Sequence, residues 1–440
     1  MKIKKAEIYY ARIERNLSKE QKLWFLEAKQ HIFNIDLKRI FPDIKNNWLT
    51  YGLEADFNTF TPIGSKEGKG TENQAQGVIF KTYSNGVKTN RDAWVYNFNA
   101  EELAKNMRLA IENYNEHVFK YSRLETAQNI DDFVTYDEAK LSWSRDLKLD
   151  LKRGKFAEFK DEKIRTSLYR PFTKKFLFFD RVMNEEVYQF PNIFQNSETE
   201  QENKIICSGG YGRKGFAVVI SNHIPDLNFY GDPQQSFPFY IYNEDGSHRQ
   251  ENLTDWALKD YQNHYADENI SKWDIFYYVY SLLHHQGYRD KYTANLKREL
   301  PRIPKFKEFW KLSHVGKKLA DLHVNYETKK EYPLQIQSNG EIDWRVKKMR
   351  FNKEKTVIKY NDSLTLSGIP PEALEYKLGN RSALDWIIDQ YQISTDKRSG
   401  ITNDPNNLND KSYIIKLIMR IVTVSVETVE LVGEISGCEL

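Results

Sequence analysis

Between residues 174 and 243 the chain is written in four short runs of aromatic and β-branched residues: KKFLFFD (174–180), NKIICSG (203–209), GFAVVIS (215–221) and FPFYIYN (237–243). Each is too short to lay down a helical stripe, and turn-forming residues lie between them, so each reads as a strand. Strands at this close spacing predict a β-rich region from about residue 140. A sheet needs cover on its faces, so the flanking sequence has to supply helices.

The flanks carry helical spacing. In residues 99–123, Leu103, Met107, Ala110, Ile111 and Tyr114 share one face, with Asn99 placed as N-cap and Glu102 three residues on. Residues 273–300 read as two helices broken at Gly287, and 306–327 as another. Ser382 and Asp385 open a short apolar helix before the polar run TDKRSG (395–400). Residues 413–432 are β-branched throughout, yet Ile414, Leu417, Ile418 and Ile421 keep helical spacing and predict a buried helix. Further strands are expected at AEIYYARI (6–13), at 77–87 ending in a Ser-Asn-Gly turn, and within 344–370. Residues 63–77 are rich in Gly, Lys and Glu and read as a loop. The class expected is α+β, and 440 residues predict two to three domains.

With 40% apolar and 14% aromatic residues, sizeable cores can be filled and disorder of the whole chain is excluded. Basic and acidic residues nearly balance, 65 against 62, so polyanion binding is open only where the cations cluster. Cys207 and Cys438 are far apart and lack ligand-spaced partners, which predicts a reducing, cytoplasmic setting without disulfide or zinc. No apolar run approaches the length of a membrane span.

Several motifs invite a catalytic or cofactor assignment and fall short of it. GYGRKG (210–215) fits the glycine fingerprint of dinucleotide sites, but the β-rich FAVVIS follows where a helix should open. A strand, a glycine turn and a strand make a hairpin, with Arg213 and Lys214 at its tip. GSKEGKGT (64–71) misses the phosphate-loop spacing. The adjacent His284 and His285 point about 100° apart on a helix and share no metal face. Pro-Asp at 42–43 and 225–226 lacks the acidic-x-Lys partner of a nuclease metal site, and no N/D-P-P-Y/F/W motif of an amino-methyltransferase occurs. No catalytic residue, metal ligand or cofactor site is assigned.

The basic residues gather in four places: Lys88, Thr89, Asn90 and Arg91 after the Asn-Gly pair; Arg170, Lys174 and Lys175; a run from Arg289 to Lys307; and Lys397 with Arg398. Tyr169, Phe172, Phe176, Phe178, Tyr288 and Tyr292 interleave with the second and third. Any one of these is an ordinary solvated face; together they predict a polyanion-facing surface.

Several long stretches resemble the C-terminal specificity portion of single-chain Type ISP restriction–modification enzymes. They are KKAEIYYARI, YSNGVKTNRDAWVYNF, SLYRPFTKKFLFFD, DIFYYVYSLLHHQGYRDKYTANLKRELPRIP, GKKLADLHVNYE and TLSGIPPEALEYKLGNRSALDWIIDQYQISTDKRSGITNDPN. The resemblance implies a methyltransferase-edge segment with a connecting helix over 1–135, a β-rich target recognition region over 136–265, and a helical support over 266–440. It implies double-stranded DNA as partner, together with methyltransferase and motor domains supplied in cis or in trans. S-adenosylmethionine, ATP and Mg would belong to the intact family enzyme and none to this chain, which is expected to perform no catalysis alone. The alternatives are a complete S-adenosylmethionine-dependent adenine-N6 DNA methyltransferase, or a separate specificity subunit. The implied DNA-binding residues are Lys88, Thr89, Asn90, Arg91, Arg170, Lys174, Lys175, Arg213, Lys214, Lys397 and Arg398. For the last pair, beside Ser394, Thr395, Ser399 and Gly400, a phosphate clasp or a docking contact to the methyltransferase is expected.

Overall fold

A computed structural model describes residues 6–13, 17–42, 48, 53–65, 77–126, 128–209, 214–407 and 409–439. The chain forms two compact units, Met1–Glu54 and Ala55–Leu440. Arg213 and most of the expected loop 63–77 lie outside the described residues.

In the first unit the expected early strand is present as Ile8–Tyr10, paired antiparallel with Lys38–Ile40. Between them runs the helix Lys19–Lys29, whose start is closed by a capping box of Ser18 and Gln21. Among the described residues of this unit, one α-helix, a short 3-10 turn at Ile32–Asn34 and two three-residue strands do not enclose a core. None of the helix residues is buried, and Trp24, Phe33 and Phe41 stand exposed.

The second unit mixes helices with three four-stranded sheets, in keeping with the α+β expectation. One sheet runs Ile224–Pro225, Ile164–Arg170, Thr173–Phe178, Tyr96–Asn97, with only the first pair parallel. The second is antiparallel in the order Ser84–Asn85, Gln234–Pro238, Ile205–Gly209, Ala217–Ser221. The third is Gln335–Ser338, Leu364–Ser367, Val357–Lys359, Arg350–Phe351. Strands before residue 135 are thus built into sheets with strands after it, and the expected divisions at 135 and 265 both fall inside this unit.

The helices form for the reasons their spacing gives. Asn99 accepts from the N–H groups of Glu101 and Glu102, and the helix Ala100–Tyr121 buries Leu103, Met107, Ala110, Ile111, Tyr114 and Val118. Phe309–Val324 crosses Lys272–Leu282 at close range, because a Cβ on Gly316 would come within 1.9 Å of the Tyr277 carbonyl oxygen. Tyr413–Ile435 is helical as predicted. Its residues 414–424 fill one of the two cores, and Ile435 reaches the other.

Four local expectations are corrected. The break in 273–300 falls at 283–285, because the His285 ring accepts the Tyr288 N–H (3.1 Å) and starts a new helix at Gln286; Gly287 lies inside that helix. Ser84-Asn85-Gly86 is not a turn: Ser84–Asn85 is an edge strand, and Gly86 is required because a Cβ there would sit 2.3 Å from the Asp226 carbonyl oxygen. Of 344–351 only Arg350–Phe351 is a strand. The run FPFYIYN is split, with Gln234–Pro238 in the central sheet and Tyr240–Ile241 pairing with Gln250–Glu251.

Candidate nucleic-acid interface

The cluster at 88–91 turns mostly inward. Arg91 is 3% exposed. Its guanidinium donates to the Ser142 carbonyl (3.2 Å), the Met183 carbonyl (2.5 Å) and the Ser144 hydroxyl (2.6 Å), with Glu185 3.9 Å away. Burial pulls it down to about 10 against the opposing pull of Glu185. Thr89 is also buried, its hydroxyl donating to the Asp92 carboxylate. Arg91 thus fastens this segment to Ser142 and Ser144, Thr89 closes onto Asp92, and both side chains, expected to meet DNA, are turned inward and leave little surface to offer. Lys88 exchanges backbone hydrogen bonds with Glu186 and keeps its side chain half-exposed. Asn90 is exposed, with a left-handed φ of 55°.

Arg170, Lys174 and Lys175 come from the strand pair Ile164–Arg170 and Thr173–Phe178. Arg170 donates to Asp226 at 2.7 Å and covers the Tyr169 ring at 3.8 Å. Burial pushes the Asp226 carboxyl up to about 6, with Arg170 pulling the other way. Asp226, the aspartate of the second Pro-Asp pair, is thus an internal partner of Arg170. Lys174 is paired with Glu327 (2.5 Å), which also accepts from the Tyr413 hydroxyl (2.6 Å). Both side chains, expected as phosphate contacts, are engaged in cross-links between elements that are distant in sequence and remain partly exposed. Lys175 differs. It has no hydrogen bond or ion pair among the described residues and lies 4.2 Å from the Tyr169 ring centre and 4.7 Å from that of Phe98. Burial, reinforced by Arg170, lowers its amine to about 8. It lines a cleft of about 850 Å³ with Asn97, Thr166, Tyr391, Thr402 and Asn406.

The expected hairpin over 203–221 is present, with Ile205–Gly209 antiparallel to Ala217–Ser221. No helix opens after Gly215, so the glycine fingerprint has no helix N-terminus to present to a phosphate. Lys214 donates its N–H to Asp232 (3.2 Å), and its amine rests over Gly231.

TDKRSG is the tip of a second hairpin, Ser394–Thr395 paired with Thr402–Asn403. It follows the capped helix Ala383–Gln390 as expected. Lys397 and Arg398 are exposed. The clasp is corrected in one respect. The Asp396 carboxylate already accepts the N–H of Arg398 (3.1 Å), the N–H of Ser399 (2.8 Å) and the Ser399 hydroxyl (3.0 Å). The N–H groups of Arg398 and Ser399 and the Ser399 hydroxyl are thus already taken, and the long side chains of Lys397 and Arg398 remain to meet an anion. The root of this hairpin reaches the Lys175 cleft through Thr402, whose carbonyl accepts from Asn97 (3.4 Å).

The cluster beyond residue 289 is largely engaged. Arg289 is half-buried with its guanidinium donating to the Phe216 carbonyl (2.7 Å), Lys291 pairs with Asp56 (2.8 Å), and Lys305 with Asp260 (2.6 Å). A different basic run was passed over. Residues 345–355 hold Arg345, Lys347, Lys348, Arg350, Lys353 and Lys355 against a single acid, Glu354, all six cations exposed. Its charge density was the signal that would have found it.

Among the described residues no group of three His, Cys, Asp or Glu side chains is placed to hold a metal, and no helix is long and apolar enough to cross a membrane. A model of the Type ISP C-terminal specificity domain matches residues 78–417, and the chain belongs to that family. No match was found among curated proteins. Among solved structures, it is similar to a nuclease-deletion mutant of the Type ISP restriction–modification enzyme LlaGI in complex with a DNA substrate mimic. That similarity has 36% identity and a TM-score of 0.86, over 99% of this chain and 39% of that one. The ATP-dependent Type ISP enzyme LlaBIII bound to DNA matches at 31% identity and TM-score 0.85, over 99% and 28%. DrdV in a DNA complex matches at 34% and 0.84, over 99% and 44%. The chain therefore spans less than half the length of each of these proteins.

Proposed function

We propose that this domain selects the duplex DNA target of a Type ISP-like restriction–modification enzyme acting in the cytoplasm. The observation that carries the proposal is the match of 99% of the chain to a Type ISP enzyme in complex with a DNA substrate mimic. Phosphate contacts fix register, and side chains on hairpin tips read base edges. On this proposal Lys88, Asn90, Lys175, Lys214, Lys397 and Arg398 are the contact residues, held in place by Thr89, Arg91, Arg170 and Lys174.

The methyltransferase and motor belong to other parts of the enzyme, and with them S-adenosylmethionine, ATP and Mg. The 205–221 hairpin presents no helix N-terminus to a methyl donor, and the sequence holds no N-P-P-Y motif. The exposed Trp24, Phe33 and Phe41 of the first unit support a role in completing a neighbouring domain. The test is selection of bound duplexes from a random pool, followed by titration of the winner against salt. Enrichment of one sequence is expected, with the five cations among these contacts contributing roughly −4 to −5 to the slope of log K against log salt. No enrichment, or label from S-adenosylmethionine transferred to DNA by this chain alone, would refute the proposal.

A further inference from the structure

Several cations around the 345–355 strip have found an acid. Arg345 pairs with Asp404 (2.6 Å), Lys355 with Asp385 (2.7 Å), Lys359 with Asp362 (3.0 Å) and Arg381 with Asp389 (3.0 Å). Lys347, Lys348, Arg350 and Lys353, set among them, have exposed side chains that no hydrogen bond or ion pair ties to another described residue. Four like charges left unneutralised within seven residues repel one another, which is a cost unless an anion covers them.

Their placement gives that anion a shape. Arg350 belongs to the edge strand Arg350–Phe351, whose outer side is unpaired in the sheet. Lys348 and Arg350 line a cleft of about 440 Å³ whose other walls include Lys355 and Arg381 with their partners Asp385 and Asp389. The Ile393 N–H donates to the Lys347 carbonyl (3.0 Å), so the 394–403 hairpin, with exposed Lys397 and Arg398 at its tip, continues directly from the same strip. The result is one extended cationic surface, too long for a small anion and without an aromatic platform at its free lysines on which an unpaired base would stack.

We propose that Lys347, Lys348, Arg350 and Lys353 form a track for the sugar–phosphate backbone of duplex DNA flanking the target, continuous with the Lys397–Arg398 hairpin. This rests on the DNA-recognition reading above and adds a second, sequence-independent contact to it. Such a track strengthens binding on every duplex equally and makes it steeper in salt, because each neutralised phosphate releases counterions.

The experiment replaces all four residues with alanine (K347A, K348A, R350A, K353A) in the full chain and compares salt titrations on the selected duplex and a scrambled one. The slope should flatten by about three to four units, and affinity at low salt should drop about tenfold or more on both duplexes alike. The second measurement uses the unaltered chain. Acetylation of Lys347, Lys348 and Lys353, read by mass spectrometry, should be suppressed by bound duplex. An unchanged slope and affinity in a folded variant, or equal acetylation with and without duplex, overturns the track and leaves the charges as guards of an open sheet edge. Such a result leaves target recognition standing, because the unaltered chain still binds. If the unaltered chain binds no duplex at low salt, both proposals fail together.

Discussion

Arg91 separates a scaffold from a contact surface, and replacing it with alanine tests which one the 88–91 segment serves. The substitution removes three buried donors and leaves the Met183 carbonyl and the Glu185 carboxylate facing an empty space. Hydrogen bonds from a charged donor contribute about 1.5–3 kcal/mol each, but they share one side chain and do not sum. Removing one partner of a buried ion pair costs about 3–5 kcal/mol, and that is the loss expected here. Against a typical domain stability of roughly 5–15 kcal/mol it moves a urea transition far to lower denaturant without abolishing the fold. Unfolding followed by tryptophan fluorescence reads it, since Trp94 and Trp143 flank the site in the same core. Converting Arg91 to Met together with Glu185 to Leu should recover part of the loss, because no unpaired charge is left behind. A loss under about 1 kcal/mol accompanied by weakened DNA binding would refute the internal role and return Arg91 to the phosphate-contact set.

Three further outcomes are expected. Gly316→Ala should destabilise the second unit by about 1–3 kcal/mol or more in the same urea assay, because its methyl would overlap the Tyr277 carbonyl where two helices cross. The Lys175 amine is held at about 8, below the ordinary 10.5, so the folded chain gives up this proton before the unfolded chain does. The Lys175 contribution to stability should therefore rise as pH climbs from about 8 to about 10.5, read as a widening gap between the unaltered chain and Lys175→Met in denaturant titrations across the range. Replacing Lys397 and Arg398 together with alanine should weaken all duplexes equally, by roughly 1–3 kcal/mol, and flatten the salt slope by about two units; unchanged binding would leave docking to a neighbouring domain as the role of the hairpin.

Local pattern carried the sequence reading a long way. The helices Ala100–Tyr121 and Tyr413–Ile435 and the hairpin Ile205–Gly209/Ala217–Ser221 were legible because period and turn chemistry are written within each segment. The specificity-domain assignment was legible from long stretches of resemblance. What a local pattern does not hold is the identity of a distant partner. Arg170 meets Asp226 56 positions away, Lys174 meets Glu327 153 away, and Arg91 reaches Met183 92 away. A cation destined for an internal carboxylate looks the same in sequence as one destined for a phosphate. Gly287 misled for a related reason: glycine is tolerated inside the helix Gln286–Lys291, and the break was set by His285 acting as its cap. The 345–355 strip was visible as charge density but went unweighed beside more familiar motifs.

The pairing of Thr61–Pro62 with Arg302–Ile303 bears on how this domain is made. The Tyr292 hydroxyl likewise reaches Asp56 across 236 positions. On the ribosome, the early strand and the Asp56 segment have to wait for roughly 240 more residues, about ten to fifty seconds at ordinary elongation rates. Both cores stay open longer still, until the helix Tyr413–Ile435 arrives to fill them. During that interval the aromatic strands of the middle are translated, uncovered and prone to association. A half-length product cannot shelter them, so an expression fragment cut near residue 135 or 265 should aggregate rather than fold. Slowing translation late in the message should lower the soluble yield of the whole domain.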